Sequence, residues 1–424
     1  MKLFQWMVIR RLSCYKQVQR PKDYKVVKPA SVEKSSVPQL LDAKIKASGP
    51  ITVADFMKMV LTNPLTGYYM KRDVFGRKGD FITSPEISQM FGEIIGVWIY
   101  YELRKIGMPK PWQLIELGPG RGTMTKDILR VLKHFKALED FSIHFVEMSN
   151  HLSSIQAQVL CDDVVTFGMM PPDNKGNPYY RASKTIDGLP IYWYQSVTNV
   201  PRGFSVVLAH EFFDALPIHK YQKVDNEWRE VLINSRKGEK GEVEFHYTTS
   251  KSQPPLSKLL IREDEKRDHL EISPESGQIT KYIADLLEEE GGFSLFIDYG
   301  HEGTKTDTFR GFKNHALHDP LVDPGSADLT ADVDFSYLKT ILEHNLLVFG
   351  PVEQGDFLTR MGIKQRMDRL MQRIEDDAVK EQLKSSYQML VDKSQMGERY
   401  KCMAAFPRVL KSHLEKYPVA GFTA

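Results

Sequence analysis

Between Gln113 and Leu132 the chain reads as a short apolar strand, Gln113-Leu-Ile-Glu-Leu117, then Gly118-Pro-Gly-Arg-Gly122, then a helix beginning near Thr123. No other stretch constrains the fold as strongly. Glycines at alternate positions let the backbone turn tightly and pass close to a ligand without a Cβ clash. A helix starting directly after the turn offers unpaired N–H groups to an acceptor. Such a strand–turn–helix unit predicts an open α/β sheet, in which a ligand lies beyond the carboxyl ends of the strands.

The flanking pattern agrees. Ser142–Glu147, Phe204–Ala209 and Phe293–Asp298 are apolar runs of strand length separated by helical periodicity, which predicts a mostly parallel, Rossmann-like sheet with helices on both faces. Lys401–Phe406 is expected as a final strand, and helices are expected over 276–290, 335–344 and much of 363–393. Residues 217–250 read as an inserted β-meander, and 301–334 as loop. Upstream, Thr52 is placed to cap a helix carrying Val53, Phe56, Met57, Val60 and Leu61, which stops before Asn63-Pro64. Leu65–Met70 reads as extended, and a second helix is expected from about Glu86 to Arg104. The resulting division is a targeting segment and linker (1–47), a helical lid region (48–110), a cofactor-binding core (111–216) and an inserted β-rich region (217–275). The remainder of the core with substrate-side loops (276–410) and a tail (411–424) complete it.

The predicted strands end in polar residues that would converge on one crevice: Glu116, Glu147, His210-Glu211 and Asp298. The dinucleotide fingerprint is Gly-x-Gly-x-x-Gly. Here the glycines fall at 118, 120 and 122, with Thr123 where the last glycine of that fingerprint would stand. A ligand with a carboxylate and a cationic centre suits this turn better than a pyrophosphate, and S-adenosyl-L-methionine is such a ligand. Gly118, Pro119, Gly120 and Gly122 would cradle it, and Glu116 would face its amino group. Glu147 would accept hydrogen bonds from the ribose hydroxyls. Asp80 and Thr83, in the loop Gly79–Glu86, would add polar contacts from a lid.

His210-Glu-Phe-Phe-Asp214 ends another strand at the same crevice, so His210, Glu211 and Asp214 are the candidate catalytic residues. Methyl transfer from a sulfonium releases a neutral thioether, so it needs no general acid. An arginine acceptor keeps its proton until late, its pKa being above about 12. Carboxylates that orient it and take that proton are the matching equipment. The loops Thr308–Phe312 and Asp328–Asp334 are candidate substrate walls. No metal is expected: this motif lacks the second histidine of His-Glu-x-x-His, and Cys14, Cys161 and Cys402 have no metal-binding spacing. Two rival readings are an NAD-dependent Rossmann oxidoreductase and a non-catalytic S-adenosylmethionine-binding assembly chaperone.

Composition closes off other classes. With 42% hydrophobic and 26% charged residues, the 424-residue chain can bury a large core, which disfavours disorder. A net charge of +2 gives no broad field for a polyanion, so nucleic acid is not expected as a partner. No run reaches the roughly 20 apolar residues of a membrane span. Lys2, Arg10, Arg11, Lys16, Arg20 and Lys22 precede the first acid, Asp23, with apolar residues between them. That is the composition of a mitochondrial import leader.

The segments GDFITSPEISQMFGE, IELGPGRGTM, LAHEFFDALP, DYGHEGTKTDTFRGF and DLTADVDF, in this order, resemble the MidA family of mitochondrial protein arginine methyltransferases that assist assembly of respiratory complex I. The resemblance runs from about residue 48 to 406. It implies a class I methyltransferase fold with an additional smaller domain, and symmetric dimethylation of an arginine on a core subunit of complex I in the mitochondrial matrix. It also implies that the turn 118–122 is the cofactor loop and Glu147 the ribose-binding acid. His210 stands where some relatives carry asparagine. The expected partner is that protein substrate, with a homodimer among the expected assemblies.

Overall fold

The computed structural model describes residues 36–71, 83–162 and 179–423. The basic leader and Asp80 lie outside the described residues. The largest sheet runs in the order 346–353, 400–407, 292–301, 205–210, 112–117, 141–146, 190–194, 181–184, with Val333–Asp334 pairing beside Gly292–His301. The strands 292–301, 205–210, 112–117, 141–146 and 190–194 are mutually parallel. Tyr400–Pro407 runs antiparallel between Gly292–His301 and Leu346–Glu353. The chain leaves Trp112–Leu117 for one side of the sheet and returns to its other side with Ser205–His210. Ligands of open α/β sheets bind above such a reversal.

Trp112–Leu117 and Ser205–His210 are buried at every position, as parallel strands covered on both faces must be. Leu114, Ile143, Val206 and Leu295 face one core, shared with the helices Gln89–Lys105 and Thr123–His134. Ile115, Val207 and Phe296 face the other, under the helices Pro274–Glu290 and Phe335–Leu342. The buried Gln113 amide is satisfied by the Pro201 carbonyl at 2.8 Å and Ser205 Oγ at 2.9 Å. Two antiparallel sheets are added to this α/β core. One contains Ile51–Thr52, Glu227–Lys237, His219–Val224 and His269–Ile272, with Val243–Thr249 against Glu227–Lys237; the other is Ala316–His318, Arg310–Lys313 and Asp328–Thr330. An α/β fold with a mixed, mostly parallel sheet is the result.

Several local expectations change. The polar stretch before residue 50 contains a helix, Val37–Ser48, because Val37, Leu41 and Ile45 form a sparse buried stripe. Leu65–Met70 is not extended: Asn63 closes a turn by accepting Gly67 N–H at 2.7 Å, and Tyr68–Lys71 is helical. The helix expected from about Glu86 is divided into Ser84–Ile87 and Gln89–Lys105, since Ser88 is extended (φ −157°) and its side chain caps Met90 N–H. His219–Val224 adds a strand to the meander. The loop-rich 301–334 folds into the three-stranded sheet, whose strands are too short to show alternation. Thr52 caps Val53–Thr62 as expected, accepting Asp55 N–H at 3.0 Å.

Candidate functional site

The turn after Trp112–Leu117 holds Gly118, Gly120 and Gly122 at φ of 59°, 55° and 79°, a region that side-chain-bearing residues rarely enter. A Cβ on Gly118 would lie 3.0 Å from the Phe212 ring, so this glycine makes room for a protein side chain. Gly122 is the N-cap of Thr123–His134 and faces Leu160, 3.3 Å from where its Cβ would stand. It borders neither cavity described below.

A large cavity of about 930 Å³ opens above the strand ends, bordered by Gly118, Gly120, Glu147, Glu211 and Asp214. A small chamber of about 40 Å³ adjoins it and holds Glu116, Pro119, Thr83 and His210. Gly118, Gly120 and Glu211 border both, so the glycine turn is the partition between them. All the expected site residues within the described chain, except Gly122, border one cavity or the other.

Glu147 ends the strand Phe141–Val146 and is buried. Its Oε1 accepts Ser149 N–H at 2.7 Å and its Oε2 accepts Gln156 Nε2 at 3.0 Å. Burial pushes its carboxyl up to about 7, against these hydrogen bonds. Gln156 also donates to the Gly120 carbonyl at 2.7 Å and is itself held by Trp193 Nε1 at 2.8 Å. It thus joins the glycine turn to the acid on the next strand. Sequence reasoning missed it because no spacing rule links a helix glutamine to the previous βα turn.

Glu116 is buried in the small chamber, where Thr125 Oγ1 donates to its carboxylate. Burial raises it to about 8. His210 lies beside it, its ring 5.0 Å from that of Phe91, with Nε2 buried and unpartnered. Burial lowers the imidazole to about 3, so at neutral pH the 3.5 Å approach to Glu211 Oε1 is a contact with a neutral ring and not an ion pair.

Glu211 has φ 48°, strained for a non-glycine residue. Its Oε1 faces Ser84 N–H at 3.4 Å and its carboxyl bonds with Tyr400. Burial and then Asp214 raise it to about 8. The following turn, Phe213–Ala215, is held from the neighbouring strand: Asp298 Oδ2 accepts the N–H groups of Phe212 and Phe213 at 3.1 Å and of Asp214 at 3.4 Å. Asp214 Oδ2 accepts from Thr330 at 2.9 Å and from the Tyr299 hydroxyl. Its Oδ1 is buried without a hydrogen-bond partner. Burial raises this carboxyl, while Tyr299, Thr330 and Arg310 favour its charged form. Asp328 adds a third buried carboxylate to the same wall, accepting from the Tyr69 hydroxyl at 2.7 Å. Two of the three cations lining the cavity, Arg310 and Lys305, both pair with Asp332, at 2.7 and 2.8 Å; the third is Arg399. Asp298, Tyr299 and Thr330 act on the site through the third dimension; the sequence marks Asp298 as a strand end and Thr330 as part of a candidate substrate wall, and gives Tyr299 no role.

One end of the cavity therefore suits an adenosine with a glycine-turn contact, and the other suits a cation. Among the described residues no cluster of metal-ligating side chains is present, and no helix is long and apolar enough to cross a membrane.

Residues 94–352 match the family described as "Putative S-adenosyl-L-methionine-dependent methyltransferase". The chain is 49% identical over 392 residues to the Drosophila melanogaster "Protein arginine methyltransferase NDUFAF7 homolog, mitochondrial", covering 92% of this chain and 89% of that protein. It is 45% identical over 367 residues to the human "Protein arginine methyltransferase NDUFAF7, mitochondrial", covering 86% and 82%. A Burkholderia thailandensis protein crystallised with S-adenosyl-homocysteine has the same fold, with a TM-score of 0.68, 21% identity and 92% of each chain covered. The nicotinamide reading falls with the family match. The cofactor is S-adenosyl-L-methionine, and the chain belongs to the NDUFAF7 (MidA) family of S-adenosyl-L-methionine-dependent methyltransferases.

Proposed function

We propose that this chain methylates an arginine side chain of a protein in the mitochondrial matrix, by symmetric dimethylation of a core subunit of respiratory complex I. The observation that carries the acceptor chemistry is the unpartnered, buried Oδ1 of Asp214, in the same cavity as Glu211 and Asp328. A buried acceptor with no donor costs roughly 1–3 kcal/mol. An incoming guanidinium removes that cost with charge-assisted hydrogen bonds. The relatives' printed activity and the acid-free basic leader support the arginine and the compartment. In this reading residues 111–216 hold the cofactor and 276–410 supply most of the acceptor side.

When bound, S-adenosylmethionine supplies an electrophilic methyl group whose sulfonium leaves as a neutral thioether. Glu147 takes the ribose hydroxyls on the free lone pairs of its two oxygens. Glu116 and the turn 118–120 take the amino-acid end, with Thr83 closing the chamber. Glu211 and Asp214 orient the acceptor guanidinium and offset its charge, which lowers both carboxyls toward ionisation. Asp214 Oδ1 receives the N–H proton that the guanidinium sheds as its nitrogen gains the methyl. His210, neutral, adds polarity without opposing the cofactor's positive charge. Phe212, which lines the cavity, keeps water from the reacting atoms, while Phe213 packs behind it against Phe296.

The test is transfer of labelled methyl to mitochondrial proteins, with hydrolysis of the products to identify the modified residue. Label in methylarginine is expected. Asp214→Asn should keep cofactor affinity and lose roughly 10²–10³-fold in turnover. Label only in another residue type would overturn the acceptor, and unchanged turnover would remove Asp214 from the mechanism. Cofactor binding with no transfer to any protein would favour the assembly-chaperone reading.

A further inference from the structure

The three-stranded sheet beside the cavity has an open edge. Asn314 and His315 both have positive φ (52° and 62°), so the hairpin joining Arg310–Lys313 to Ala316–His318 turns through a two-residue type I′ turn. The pair closing such a turn, Lys313 with Ala316, exchanges both main-chain hydrogen bonds. Alternation then makes Phe312–Leu317 the non-bonded pair, so the N–H and C=O of Leu317 point away from the hairpin. Among the described residues no strand pairs on that side.

The register carries this edge into the site. Leu317 stands opposite Phe312, and Phe312 opposite Asp328. Residues paired across strands share a face. Leu317, Phe312 and Asp328 all border the large cavity, so this row runs from open edge to acidic wall along one face of the sheet. Leu317 is 73% exposed, one of the most exposed large apolar side chains among the described residues. Ala316–His318 also carries no lysine, proline or bulge of the kind that guards exposed edges.

We propose that an extended segment of the substrate protein, flanking its acceptor arginine, docks by adding a strand to the Ala316–His318 edge. The proposal rests on the arginine reading above. Main-chain hydrogen bonds to Leu317 N–H and C=O hold the segment, and the Leu317 side chain covers its apolar neighbour. Charge decides the occupant: the row ends at Asp328, in the same cavity as the unpartnered Asp214 oxygen, so a basic side chain of the segment is drawn inward. Strands lie about 4.8 Å apart, so the added strand would run roughly 14 Å from the strand of Asp328. One side chain does not cover that distance. The acceptor arginine therefore belongs to the residues running on from the paired segment toward the cavity, with specificity read on one side of it.

The experiment measures methyl transfer to a degenerate library of peptides, each with one central arginine, by the full-length protein. The same library is also made with N-methylated backbone amides at positions on either side of the arginine. A methylated amide cannot join a strand ladder but leaves the arginine intact. Leu317→Pro removes the outward N–H at a position where an edge strand tolerates proline, and Leu317→Ala removes only the side chain. Expected are a roughly tenfold higher peptide KM for Leu317→Pro, a smaller rise for Leu317→Ala, and unchanged kcat and cofactor Kd. For the unaltered enzyme, backbone methylation on one side of the arginine should reproduce the KM effect. That arm does not depend on any variant folding. Transfer that ignores both backbone methylation and Leu317→Pro would overturn strand docking and leave the arginine reading standing. Absence of transfer to every arginine peptide, with the cofactor bound, would overturn both.

Discussion

At Gly120 the backbone adopts φ 55° with the large cavity on one side and the small chamber on the other. A β-branched residue there costs roughly 1–3 kcal/mol in backbone strain and occupies ligand space. Gly120→Val should therefore lose cofactor binding by calorimetry while its circular dichroism stays close to native; retained affinity would remove the turn from the cofactor site. The neighbouring acids make a second prediction. Glu116 and Glu211 are both raised to about 8 by burial, so they are largely protonated at neutral pH. A sulfonium and an ammonium arriving beside them favour the charged carboxylates. Uptake of S-adenosylmethionine should thus release protons, visible as calorimetric heats that differ between buffers of high and low ionisation enthalpy. S-adenosyl-homocysteine, lacking the sulfonium, should release fewer. Equal release by the two would show that these carboxyls do not sense the sulfonium.

The element that most needs support is the turn after Ser205–His210. It carries a strained Glu211 and a short 3-10 turn, and neither has enough local hydrogen bonding to hold its shape. Asp298, on the adjacent parallel strand, supplies one carboxylate oxygen to three successive N–H groups. Asp298→Ala should leave those donors unsatisfied and let Asp214 drift from Tyr299 and Thr330. The expected result is a fall in kcat of at least tenfold with cofactor Kd little changed. If kcat holds while only the melting temperature falls, Asp298 supports the fold alone. Gln156 plays the corresponding part on the cofactor side, tying Gly120 to Glu147. In both cases the candidate site residue sits at a strand end and its geometry is set by a partner from the adjoining element.

For the whole molecule, the concentration of buried acids makes stability depend on pH. Glu116 and Glu211 rise from their ordinary 4.5 to about 8, and Glu147 to about 7. A carboxyl raised by folding stabilises the fold fully below its unfolded pKa, and that contribution is lost as pH climbs through the folded value. His210 acts in the opposite sense. Its folded value of about 3 lies below the ordinary 6.5, so its contribution is present above 6.5 and lost as pH falls toward 3. Without cofactor, the melting temperature should therefore decline from about pH 4.5 to about pH 8, the three carboxyls outweighing His210. Saturating S-adenosylmethionine should flatten that decline, because it binds only the folded form and compensates the new charges. Parallel melting curves with and without cofactor would show that the acids and the ligand are not coupled.

The α/β order, the glycine turn and its helix start, and the acids at the strand ends could be read from the sequence by itself. These features depend on contacts within a few residues: apolar runs of strand length, glycines where a left-handed turn is needed, and polar residues where a strand leaves the core. The sequence also carried the motifs that mark the family. What it did not carry is which residues from separate segments meet. The order of strands around Trp112–Leu117, the antiparallel Tyr400–Pro407, the Gln156 bridge and the Asp298 clamp all join positions far apart along the chain. Short strands such as Ala316–His318 gain their order from pairing with neighbours and not from their own periodicity. The sequence determined that a glycine turn would stand at the crevice above the strand ends. Tertiary packing decided that a buried carboxylate with one unpartnered oxygen, that of Asp214, would line it, since burial and the loss of a partner are properties of the assembled fold alone.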